Sequence, residues 1–187
     1  MANPTETSSY DKWRPREDWN SPIILYSPYK LVDIELQVQT NGADIGIGDI
    51  IELIQVIGNE TDLYDATLAG DNSTVPMAIV TQSEANKEQL AKDNSLDSVD
   101  SLTKSTARFA DNSPIDVVLL LPGIIYATKV IDSVGAAGYK IGSAVQCAGT
   151  NRIDVYATAQ ARLGYLLTQV YNVASLQWVA VLSQRGY

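Results

Sequence analysis

Few side chains in this sequence could do chemistry. Among 187 residues there is no histidine and one cysteine, Cys147. Ser/His/Asp and Cys/His catalysis need an imidazole to take the nucleophile's proton, so composition excludes both. A carboxylate-only hydrolase needs two acids flanking the bond it cleaves. Asp111, Asp116 and Asp132 are the candidate acids, and none forms a recognisable pair with a nucleophile or a metal site. Asp93, Asp97 and Asp100 do not match the spacing of a calcium loop and lack its turn glycine, so they are expected on a solvated surface. Gly46 and Gly48 could open a phosphate loop. The dinucleotide fingerprint would need glycine at position 51, which is isoleucine, and no Walker lysine is present, so a plain turn is expected. Cys147 lies in an Ala/Val/Gly neighbourhood and is expected to be a small buried hydrophobe. No catalytic, cofactor-binding or metal-binding residue is expected.

Charge and hydropathy narrow the class further. The net charge of −9, with no Lys/Arg cluster against it, argues against partners such as nucleic acid and anionic membranes. Residues 1–20 are polar, without the apolar core of a secretory signal. The longest apolar run, Val117 to Ala127, is too short to span a bilayer and is broken by Pro122-Gly123. Ten tyrosines against one phenylalanine fit hydroxyls at the rim of a core or an interface.

Residues 1–22 read as an extended N-terminal arm. They carry Pro4, Pro15 and Pro22 and no periodic apolar face, so they have too little to bury on their own. Yet Trp13 and Trp19 flank Arg14 and Arg16, with Tyr10 just before. Trp, Tyr and Arg are the residues enriched where partners dock. Those five are the candidate partner-contact residues. The alternative is that the tryptophans cover the edge of the chain's own core.

The body, residues 23–187, reads as mainly β. Val32, Ile34, Leu36 and Val38 alternate with polar residues, which predicts a strand with one dry face. Asn41-Gly42 predicts a turn, and Ile50–Ile57 a β-branched second strand. Leu63–Leu68 and Val75–Thr81 are further short strands, with Gly70-Asp71-Asn72 between them. Residues 82–114 form an insertion rich in Ser, Asp, Asn and Lys. Thr81 and Glu84 have capping-box spacing, which predicts a short helix over Glu84–Lys92. Ser95 is expected to cap a further turn carrying Leu96, Val99 and Leu102. Ile115–Leu121 is an apolar run suited to burial on both faces. Pro122-Gly123 predicts a turn or bulge. Ile124–Ile131, Tyr139–Cys147, Ile153–Ala159, Arg162–Thr168 and Gln177–Ser183 follow as strands. Regular short strands with turn residues between them indicate a small β-sandwich or barrel.

A resemblance enters at these strands. The order Gly123-Ile124-Ile125-Tyr126-Ala127, then Ala136-Ala137-Gly138-Tyr139-Lys140-Ile141-Gly142, then Arg162-Leu163-Gly164-Tyr165-Leu166-Leu167, then Trp178-Val179-Ala180-Val181-Leu182 resembles the tailed-phage head decoration, or capsid cement, proteins. Gly48-Asp49-Ile50-Ile51 and Val75–Thr81 are similar to earlier segments of that pattern. Position 139 is tyrosine where the family usually has aspartate, and the insertion and the arm lie outside the minimal pattern. The resemblance implies a β-tulip-like body and a structural, non-enzymatic role on the outer surface of a viral capsid in the virion. It implies the major capsid protein as partner and a homotrimer as the assembly. The alternatives are another virion subunit (connector, tail or fibre) and a carbohydrate- or cell-surface-binding module.

Overall fold

The computed structural model describes residues 23–42, 44–54, 64–70, 77–98, 106–129, 140–147, 153–156, 162–168, 170–173 and 176–184. Strand β1 is Ile24–Tyr26, followed by a 3-10 turn at Leu31–Asp33. Then come β2 (Glu35–Thr40), β3 (Ile50–Ile54), β4 (Asp65–Leu68), β5 (Met77–Val80) and the helix α1 (Glu84–Asp93). The remaining strands are β6 (Pro114–Leu119), β7 (Ile125–Lys129), β8 (Ala144–Cys147), β9 (Ile153–Val155), β10 (Arg162–Leu166), β11 (Tyr171–Val173) and β12 (Leu176–Ser183). The protein is mainly β, as its strand pattern predicts, with a closed barrel, a second sheet and one helix in the insertion among the described residues.

The barrel runs β2-β4-β3-β5-β6 and closes where β6 pairs with β2. Its one parallel pair, β2 with β4, lets a five-stranded sheet meet itself without a free edge. Residues opposite one another in a ladder share a face. The register thus puts Leu36, Val38, Ile51, Leu53, Ala66, Ala78, Val80, Ile115 and Val117 on one face of the barrel wall. On the opposite face Ile50, Ile79 and Val118 form a row, all buried. That explains why the neighbours Ile50 and Ile51 are both fully buried, against the rule of one wet face. Met77 belongs to the same outer band, and its sulfur lies 3.8 Å from the Cys147 sulfur of the second sheet.

The second sheet runs β1-β7-β12-β10-β8-β9, with β11 paired to β12. It is antiparallel throughout. The two sheets share one hydrophobic core that includes Ile50, Ile79 and Val118 from the barrel and Tyr126, Val145, Cys147, Ile153 and Val181 from the sheet. Polar ties cross the junction: Thr128 Oγ1 donates to Gly48 O at 3.3 Å, and Ser183 Oγ to Leu120 O at 3.3 Å.

Local details depart from the sequence pattern. The alternation from Val32 does not begin a strand there. Leu31–Asp33 coil into the 3-10 turn, β2 starts at Glu35, and Val32 is 76% exposed. The helix is capped by Ser83, not Thr81: Ser83 Oγ accepts from Asn86 N at 3.1 Å. Ser95 does not open a new turn. It closes α1 in the left-handed region (φ 55), with Leu96 N bonded back to Ala91 O. Leu96 is exposed, and Val99 and Leu102 lie outside the described residues. Strands β1 and β11 carry too few residues to register as periodic segments.

Candidate interaction surfaces

The five arm residues singled out by type, Tyr10, Trp13, Arg14, Arg16 and Trp19, lie outside the described residues. So does Asp132. The other candidate acids serve as hydrogen-bond acceptors that hold loops. Asp111 Oδ1 accepts from Gly42 N at 2.8 Å and from Asn112 N at 3.1 Å. Asp116 Oδ2 accepts from Ser83 Oγ at 2.7 Å, tying the helix cap to β6. Asp93 is not the solvated acid expected. Its Oδ2 accepts from Ser113 Oγ at 2.7 Å and Ala110 N at 2.9 Å, and its Oδ1 from Gln89 Nε2 at 2.6 Å. Among the described residues no group of three or more His, Cys, Asp or Glu could hold a metal ion. Cys147 is buried, in keeping with a small core residue.

The Gly46–Asp49 segment is a turn. Asp49 Oδ2 accepts from Gly46 N at 2.8 Å and Asp49 N donates to Gly46 O at 3.2 Å. Gly48 sits at φ +81, and a Cβ there would lie 2.6 Å from Trp178 Cη2. The glycine is needed both for the backbone angle and for the indole that packs on it. The turn thereby carries an inter-sheet contact.

Two surfaces expose side chains of the kinds that dock partners. The first follows β1. Tyr26, Tyr29, Leu31 and Val32 are all substantially exposed. Tyr29 Oη donates to Pro122 O at 3.1 Å, which fastens this stretch to the turn before β7. The second lies at the far end of the same sheet. Arg162 stands over the rings of Tyr156 (4.8 Å to the centroid) and Tyr165 (5.4 Å), and its Nη1 donates to Tyr165 Oη at 2.6 Å. Each such stacking contact contributes about 0.5–1 kcal/mol at an exposed site. Together they hold the guanidinium against the two rings.

The sequence pattern misses this cluster for a physical reason. Arg162 and Tyr165 are three residues apart, which places them on opposite faces of a regular strand. The register of β10 against β8 shifts between Arg162 and Gly164, and that irregularity brings both side chains to one face. Gly164 permits it: a Cβ there would lie 2.0 Å from Leu182 O of the neighbouring strand. Tyr156 joins because its N bonds to Ala144 O while Ala144 pairs with Tyr165.

No helix among the described residues is long and apolar enough to cross a membrane. Compared with known protein families and with curated proteins, the chain matches none.

Proposed function

We propose that this chain is a structural virion protein that binds the outer surface of a viral capsid and stabilises the shell by bridging major capsid proteins, acting as a homotrimer and without catalysis. The observation that carries the proposal is the common placement of three of the segments on which the decoration-protein resemblance rests. Ile125–Ala127, Arg162–Leu166 and Trp178–Leu182 are strands of one sheet, β7, β10 and β12, and β12 pairs with both of the others. The described acids support it in a second way: Asp93, Asp111 and Asp116 are all engaged in holding loops.

The task fits a rigid β body. Several weak contacts made at once add through effective concentration, so no single contact need be strong. An arm that becomes ordered on its partner enlarges the contact without a larger body. Binding only the assembled shell favours that state by mass action. Particles lacking the protein are expected to burst at lower temperature or under milder osmotic shock, and added purified protein should restore them. Stripped particles of unchanged robustness would count against the proposal. The Tyr156–Arg162–Tyr165 cluster favours a second reading, a carbohydrate- or cell-surface-binding module. Its mark would be loss of attachment to cells with no change in particle robustness.

A further inference from the structure

We infer that the two exposed surfaces at opposite ends of the second sheet are the two halves of a head-to-tail contact between copies of this chain. One half is the stretch around Tyr29, Leu31 and Val32, beside β1. The other is the β9 edge, with the Tyr156–Arg162–Tyr165 cluster on one face of the sheet and Val155 on the other. Among the described residues the sheet path ends at β1 on one side and at β9 on the other. A ring of identical subunits requires such a pair of different, complementary patches, because a patch that only matches itself stops at a dimer.

The surfaces complement each other in two ways. Both expose apolar groups: Val32 is 76% and Leu31 43% exposed on the first, Val155 42% and Ile141 37% on the second. Their charges are opposite. The first carries exposed Asp33 and Glu35 against one lysine, Lys30. The second carries exposed Arg162 and Lys140 against one carboxylate, Asp154. Two acids less one base on one side meet two bases less one acid on the other. No carboxylate pairs with Arg162 among the described residues, so its stacked guanidinium is ready for an acid from outside. A chain of net charge −9 does not associate with itself by overall charge, so a local pairing of this kind is needed to set the register. Closure at three subunits rests on the proposed function; the contact itself does not.

The test uses purified full-length protein without capsids. Val32→Cys and Val155→Cys, both at exposed positions, are prepared separately and mixed with a short bismaleimide. Cys147 is buried and remains in both. A head-to-tail contact gives a crosslink between the two variants and none within either alone. Sedimentation should show wild-type self-association weakened at least tenfold by Arg162→Glu and by Glu35→Lys, and regained in part when these two variants are mixed, because a ring of three keeps one contact between like copies. Absence of the mixed crosslink, crosslinking within one variant alone, or a wild type that stays monomeric at millimolar concentration would overturn the inference. Particle binding by the same variants is measured in parallel. A wild type that binds particles but does not self-associate is a failure of this contact alone, whereas a wild type that does not bind particles is a failure of the proposed function.

Discussion

Asn86 joins the helix to the barrel, and replacing it isolates that joint. Its Nδ2 donates to Thr81 O and to Asp116 O, both at 2.8 Å, and its Oδ1 accepts from Asp116 N at 2.7 Å. The residue is 1% exposed, so water cannot easily replace these bonds. In Asn86→Ala, Asp116 O keeps Thr81 N and Thr81 Oγ1 at 3.2 Å, but Asp116 N and Thr81 O each lose this partner. A buried polar group stripped of its partner costs about 1–3 kcal/mol. Better helix propensity of alanine offsets about 0.5 kcal/mol of that. The expected loss is about 2–4 kcal/mol, read by urea denaturation with an unchanged m-value. For a chain of this length that corresponds to a fall in Tm of about 5–15 °C. Asn86→Asp keeps an acceptor for Asp116 N but sets a carboxylate against two carbonyl oxygens, so it should lose at least as much. A loss below about 0.5 kcal/mol in Asn86→Ala would refute the clasp, because it would mean the helix is not held through this amide.

Three further outcomes are expected. Gly48→Ala combines an unfavourable backbone angle with an indole 2.6 Å from the new carbon, and should destabilise by about 2–4 kcal/mol in thermal unfolding; a neutral result would mean that Trp178 does not pack there. Burial, and secondarily Cys147, pushes the Tyr126 hydroxyl well above its ordinary value of 10.0. The folded state keeps that proton while the unfolded chain releases it, so stability holds below pH 10 and falls above it; Tyr126→Phe should flatten the alkaline fall, and an unaltered pH profile would contradict this. At neutral pH the same variant should be no less stable, since the Tyr126 hydroxyl has no hydrogen-bond partner among the described residues. Deleting residues 1–20 should leave the melting temperature of the body nearly unchanged and weaken capsid binding, with Trp13→Ala and Trp19→Ala each losing about 2 kcal/mol of binding; unfolding of the truncated protein would make the arm part of the core.

Most strands are legible in the sequence because their residues either alternate, as at Leu36 and Val38, or form β-branched apolar runs between glycine turns. The run at Val117–Val118 is buried on both sides, as its lack of alternation implies. The division into a barrel and a second sheet is not legible, because it depends on which strands pair across long stretches of chain, such as β2 with β6. The helix is foreseen, but its cap is displaced by two residues: Thr81 turns its hydroxyl to Asp116 O, leaving Ser83 free to take the cap. The exposed Tyr–Arg–Tyr cluster escapes notice because a strand irregularity, invisible in a two-residue period, brings Arg162 and Tyr165 together. Asp93 reads as a surface charge, since nothing in its own segment shows that Ser113 and Ala110 return to it.

The central claim is that this protein sits on the outside of a viral shell and bridges its subunits. Cryo-electron microscopy of particles made with and without it tests that claim most directly. The account predicts difference density on the outer capsid surface, threefold in symmetry, with each copy contacting more than one major capsid protein. Density confined to a six- or twelvefold ring at one vertex, to the tail or to a fibre, or no difference at all, would contradict it.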